Sequence, residues 1–202
     1  EVDTRTAPYI HDNFVNTLFE SRDKTMWIGS RNGMSVVEPD NKGYALTMRE
    51  GKTDFTSCDI RHISQDRQGR IWVATYDGGV NYLITTPEGK PRFIHAYNDL
   101  KQYPIDRCNK ARFVTGDRQG RIWIGTTLGA LVAPVAFDNP QSLRFIHLYN
   151  EASDEQSLSN NDVHWILPTR NDAIYLATFG GGLTRLLSLS PEGKATFRSY
   201  GT

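Results

Sequence analysis

The chain has 202 residues, 38% of them hydrophobic and 23% charged, the proportions of a globular domain with a sizeable core. Lys plus Arg and Asp plus Glu both number 23, so the formal net charge is zero, whereas a protein that lives on phosphate backbones carries a basic excess. No apolar run approaches the roughly 18 residues that span a bilayer, and Cys58 and Cys108 are too few for a disulfide framework.

The chain opens EVDTRTAPY, without a start methionine or an apolar leader, and reads as a mature or excised piece. An apolar pair, Val15 and Leu18, then precedes MWIGS (Met26 to Ser30), a glycine step at Asn32 to Met34, and YALTM (Tyr44 to Met48). The same order returns with Ile60 and Ile63, IWVAT (Ile71 to Thr75), GGV (Gly78 to Val80) and RFIHAYN (Arg92 to Asn98). A third pass runs through Ala111 and Val114, IWIGT (Ile122 to Thr126), GAL (Gly129 to Leu131) and RFIHLYN (Arg144 to Asn150). The fourth has Val163 and Ile166, IYLAT (Ile174 to Thr178), GGL (Gly181 to Leu183) and TFRSY (Thr196 to Tyr200). With Trp27, Trp72, Trp123 and Tyr175 as markers, the period is 45, 51 and 52 residues. Each apolar pair stands twelve and nine residues before its marker.

Asp66-x-x-Gly69 and Asp117-x-x-Gly120 supply a tight turn before the marker strand, Asp favouring its first position and Gly its fourth. The glycine step after the marker fits a short hairpin loop. Each unit thus offers four short strands, A to D, and no segment keeps a 3.6-residue apolar period, so helices should be few or absent. Four strands per unit of this length predict an all-β chain, a β-propeller of four-stranded antiparallel blades. A parallel β-helix, whose coils are shorter, is the alternative. The blades are placed at about 1–50, 51–99, 100–150 and 151–202 of one propeller segment. Closed propellers have 4 to 8 blades. Four blades could close here, but an arc of a larger, seven-bladed type of ring is expected, with an apolar flank at each end that should drive association.

The V-x-x-I strand, the D-x-x-G turn, the W-I-G-T strand, the G-G-L step and the closing F…Y strand together resemble the two-component regulator propeller repeat. YNEASDEQSLSNNDVHWI (Tyr149 to Ile166) is similar to its linker. The third copy follows the pattern most fully; the first has Lys24 for the turn glycine, and the fourth has Asp172 for that glycine and Tyr175 for the tryptophan. The resemblance implies a non-catalytic, periplasmic sensor segment of a hybrid two-component histidine kinase of Bacteroidetes type, detecting oligosaccharides from glycan breakdown. Its implied partners are that oligosaccharide and the remaining blades and membrane-anchored kinase of the same polypeptide. A homodimer is compatible with it; no cofactor, metal or nucleic acid is implied.

The recurring residues are scaffold. Trp27, Trp72 and Trp123 should pack between blades, and Asp66 and Asp117 make turns, since one carboxylate beside an arginine falls short of a calcium loop. His95 and His147 occupy equivalent D-strand places. His11, His62 and His164 lie near A strands, but their offsets within the repeat differ, so they should not converge on a metal. Binding is sought where copies disagree, in the loops before strand A and between strands B and C, which emerge on one side. Asp12, Asn13, Asp59 and Asn160 lie there. The candidate ligand residues are Arg31, Asn32, Tyr76, Asp77, Asn161 and Phe179 in those loops, with Arg61, His62, His164 and Trp165 at the channel mouth. Aromatic faces beside carboxylate, amide and guanidinium groups suit carbohydrate. No catalytic residue is assigned: G-x-S-x-G, H-E-x-x-H and an acidic pair outside the turns are lacking. The competing functions are a propeller polysaccharide lyase or glycoside hydrolase and a protein-interaction scaffold. Cys58 and Cys108 precede consecutive A strands and could pair within ~7 Å between Cα atoms; free thiols are expected.

Overall fold

The computed structural model describes residues 10, 12–40, 43–46, 55–89, 91–134, 136–137 and 139–201. Four antiparallel sheets follow one another. The first joins β1 (Val15–Glu20), β2 (Met26–Ser30), β3 (Gly33–Val37) and β4 (Gly43–Leu46), in that order. The second joins β5 (Ile60–Gln65), β6 (Ile71–Thr75), β7 (Gly79–Thr85) and β8 (Pro91–His95). The third joins β9 (Ala111–Gly116), β10 (Arg121–Thr126), β11 (Gly129–Pro134) and β12 (Ile146–Leu148); the fourth, β13 (Val163–Pro168), β14 (Ile174–Thr178), β15 (Gly182–Leu189) and β16 (Ala195–Tyr200). Helix among the described residues is one turn, α1 (Ile105–Cys108), and a 3-10 turn at Pro140–Ser142. The antiparallel meanders exclude the parallel β-helix and give the blades of a propeller.

The first strands adjoin, β1 beside β5, β5 beside β9 and β9 beside β13, so they form the inner wall. The apolar pairs explain why. Ile60 and Ile63 pack on Trp27, Met34 and Val36 of the preceding blade. Ala111 and Val114 pack on Trp72, Val80 and Tyr82, with Leu100, Tyr103 and Cys108 of the intervening loop closing that interface. Val163 and Ile166 pack on Phe113, Trp123 and Val132. Each fully buried aliphatic of this kind contributes about 1.5–3 kcal/mol. Val15 and Leu18 have the same sequence pattern but remain 43% and 65% exposed. At the other end Leu167 is 52% and Leu183 41% exposed. Among the described strands none of the first sheet packs extensively on one of the fourth, the arrangement of an open arc.

The marker strand is locked by its turn. Asp66 Oδ2 accepts hydrogen bonds from Trp72 Nε1 (2.7 Å) and Arg70 Nε (2.7 Å), and Oδ1 accepts from the Arg70 backbone N–H. Asp117 repeats the arrangement with Trp123 (2.8 Å) and Arg121 (2.6 Å). These aspartates therefore do more than shape a turn: they satisfy a buried indole N–H that would otherwise be costly. In the first blade Ser21 Oγ accepts from Trp27 Nε1 instead. Lys24 and Asp172, standing where the other copies have glycine, adopt φ of 69° and 63°, so the turn geometry survives the substitution at some strain.

The small residue closing the marker strand answers to the next blade. A Cβ on Gly125 would lie 2.9 Å from the Val163 carbonyl oxygen. Where the next inner strand begins with Ala111, the same place holds Ala74, and both are fully buried. The following hydroxyl, Ser30, Thr75, Thr126 or Thr178, donates to the carbonyl of Gly33, Gly79, Gly129 or Gly182 across its own hairpin. These bonds tie the B–C turns beside which the candidate residues stand.

Candidate functional site

Every inner strand carries a β-bulge at the same place. Pairing skips Asn16 in β1, Arg61 in β5, Arg112 in β9 and His164 in β13, each eleven residues before its marker. A bulge re-aims the extra side chain out of the ladder, and these four polar groups line one concavity of about 440 Å³ at the mouth of the inner wall. The next residue on each strand, Thr17, His62, Phe113 or Trp165, lines the same space. His62 stacks on Phe113 at 3.9 Å between centroids, and Phe113 lies 4.3 Å from Trp165. Three neighbouring blades thus contribute a continuous aromatic ladder that ends on Trp165, 53% exposed.

The polar ring is held by acids from the adjoining loops. Arg61 donates to Asp59 Oδ2 (2.6 Å), and Asn16 donates to Asp59 Oδ1 (3.4 Å) and the Ile60 carbonyl (2.8 Å). Arg112 grips Asp162 with two bonds, Nε to Oδ1 at 2.6 Å and Nη2 to Oδ2 at 3.0 Å, and His164 Nε2 lies 3.4 Å from the same Oδ2. Bidentate pairs of this kind fix the guanidinium plane. Tyr76 forms the rim, with Arg61, Lys110 and Arg112 at 4.6, 5.1 and 5.6 Å from its ring centroid. Asp77, beside Lys110 at 4.0 Å, and Phe179, stacked on His164 at 5.6 Å, complete it.

Of the residues expected from the sequence, Arg61, His62, His164 and Trp165 meet in the cavity, and Tyr76, Asp77 and Phe179 border it through their contacts. The differing offsets of His62 and His164 do not keep them apart, because the bulge turns consecutive side chains toward the same space. Among the described residues, however, no group of three or more metal-binding side chains occurs, and His11 lies outside them. Arg31 and Asn32 stay at the first blade's B–C turn, Arg31 over Phe14 at 5.3 Å and the Asn32 N–H bonded to Asp12. Asn161 is occupied structurally: its side chain accepts from the Asn150 N–H, and its carbonyl accepts from the Gly129 N–H at 2.6 Å. Sequence reading missed Asn16, Arg112, Phe113 and Asp162. The signal was available, since Asn16 and Arg112 share the offset of Arg61 and His164, and Phe113 that of His62 and Trp165. Cys58 and Cys108 are both free, the latter buried 3.7 Å from His147 Nε2.

Burial pushes the His62 imidazole down to about 4 from an ordinary 6.5, opposed by the bond that Nδ1 donates to the Val114 carbonyl (3.0 Å). The unfolded chain takes up this proton as pH falls through 6.5 while the folded chain stays neutral, so the stability is complete above 6.5 and lost toward 4. Between pH 7 and 4.5 this group is expected to remove roughly 2–3 kcal/mol. His62→Phe, a ring already tolerated at the equivalent Phe113, should reduce the loss of unfolding free energy over that range, read from urea midpoints and slope, by this amount.

The geometry defines an open propeller segment with a ligand-sized mouth lined by aromatic and hydrogen-bonding groups. Residues 9–32 and 54–77 match the model of the two component regulator propeller. Each match spans the A and B strands of one blade, and the other two blades repeat the same order of strands. Among solved structures, the extracellular domain of BT3049, described as a hybrid two component system of B. thetaiotaomicron, superposes with a TM-score of 0.68 at 22% identity, covering 95% of this chain and 23% of its own. The extracellular domain of BT4673 from the same organism gives 0.65 at 21%, over 92% and 25%. Virginiamycin B lyase from Staphylococcus aureus gives 0.61 at 16%, over 95% and 57%. The chain therefore spans about a quarter of the length of the two Bacteroides domains, and these likenesses establish the fold. No curated protein matches the chain. No helix among the described residues is long and apolar enough to cross a membrane.

Proposed function

We propose that this chain is a non-catalytic segment of the periplasmic sensor of a two-component system, and that its channel mouth takes an oligosaccharide released by glycan breakdown. The observation that carries the reading is the aromatic ladder ending on exposed Trp165 beside the bulged polar ring. An aromatic face covers the apolar face of a sugar while amide, guanidinium and imidazole groups take its hydroxyls. The inner strands are also the most rigid place to hold such groups. Acid–base catalysis has less support, because Asp59 and Asp162 are each committed to an arginine. Occupancy would be passed to further blades and a membrane-anchored kinase of the same polypeptide.

Thermal unfolding against a panel of oligosaccharides, at the protein's native length, tests this reading. One sugar class is expected to raise Tm by several degrees, following the linkage between binding and stability, with the glycan recovered intact and the shift lost in Trp165→Ala. Recovery of cleaved glycan would replace the sensor by a lyase or hydrolase. A flat response across the panel would remove the glycan reading.

A further inference from the structure

We infer that the mouth selects uncharged, hydroxyl-rich ligands and rejects acidic ones; this rests on the ligand reading above and concerns the choice among glycans. The reason is that the cations at the mouth are already matched. Arg61 is held by Asp59, Arg112 by both oxygens of Asp162, and Lys110 stands 4.0 Å from Asp77. Tyr76 packs among all three cations, its ring face offsetting their mutual repulsion. Tyr76 is thereby a positioning residue, and the stacking platform is Trp165.

Charge balance alone would leave a uronic acid or a sulfated sugar indifferent to the mouth; the placement of the pairs makes it hostile. The Arg61–Asp59 and Arg112–Asp162 side chains are less than one-third exposed, so water and salt screen them weakly. An anion docking on either guanidinium must displace a bonded carboxylate or sit beside it, and like charges so placed oppose binding. A hydroxyl meets no such obstacle. It can accept from a guanidinium N–H outside the pair and donate to a carboxylate lone pair outside it, leaving the ion pair intact. Among the described residues, the further titratable groups lining the cavity are His62, neutral above about pH 4, and His164, already directed at Asp162.

The test uses the neutral oligosaccharide that most stabilises the protein and the same compound oxidised at C6 to the carboxylate. Calorimetric titration is expected to give at least about tenfold weaker binding of the oxidised form, with the neutral form's affinity almost unchanged between low and high salt. Asp162→Asn frees Arg112 at constant shape and should erase or reverse the preference; Asp59→Asn, which frees Arg61, repeats the test should the first variant unfold. Equal or tighter binding of the oxidised form to the unaltered protein, falling steeply with salt, would overturn the inference and leave the glycan site standing. Failure of both forms to bind would overturn the site and the inference together.

Discussion

Asp117→Ala is expected to lower the unfolding free energy by about 3–5 kcal/mol, the range for stripping one partner from a buried ion pair. The carboxylate makes four bonds at once: Oδ2 to Trp123 Nε1 and Arg121 Nε, and Oδ1 to the Gln119 and Arg121 backbone N–H groups. Its loss strands an indole N–H on a side chain with no exposed surface, together with a guanidinium only partly open to water. Asp117→Asn keeps one oxygen acceptor and should cost about half as much. Urea midpoints at constant slope read both. A loss under about 1 kcal/mol for the alanine variant would mean that water reaches Trp123 Nε1 once the carboxylate is gone. The first blade shows that an alternative exists, because Ser21 serves Trp27 there, but it does so with Thr25 in place of the arginine.

Gly129→Ala is expected to cost roughly 3–5 kcal/mol, combining a strained backbone with overpacking. Gly129 has φ of 108°, and an added Cβ would strike the Leu148 carbonyl oxygen, which belongs to the backbone and cannot rotate away. The same residue donates its N–H to the Asn161 carbonyl, so any retreat also loosens the joint between the third and fourth blades. Gly120 provides the contrast. It has φ of 76° but open space around its Cα, so Gly120→Ala should cost only about 1–2 kcal/mol. Equal losses at the two positions would show that backbone strain alone, without the close approach, decides the outcome.

The sequence carried the fold because each blade needs the same few things, and they recur in phase: an apolar pair for the preceding blade, a turn, a buried marker ring and a small closing residue. Exposure of Val15 and Leu18 was not written locally, since burial of that pair depends on what lies beside it. The site was half legible. Arg61, His62, His164 and Trp165 stand out by their place at the start of the inner strands, whereas Arg112 and Phe113, at the same offsets in the copy that follows the pattern most fully, do not. Arg31, Asn32 and Asn161 were grouped with them by loop alone, although loop position does not reveal which groups are already bonded. What joins the residues around the cavity is the bulge. Nothing in the residue types marks it, because it follows from register between strands, which is a property of pairing and turn geometry.

That bulge separates two kinds of change open to the protein. The paired positions on the inner strands hold the blades together, and an alteration there reaches the core. The bulged positions belong to no ladder, and they already differ widely: an amide at Asn16, guanidinium groups at Arg61 and Arg112, an imidazole at His164. On the proposed reading, a single substitution in that ring would alter what the mouth recognises while leaving the blades packed as before. The proposed specificity could then drift one residue at a time, on a scaffold whose stability is set elsewhere.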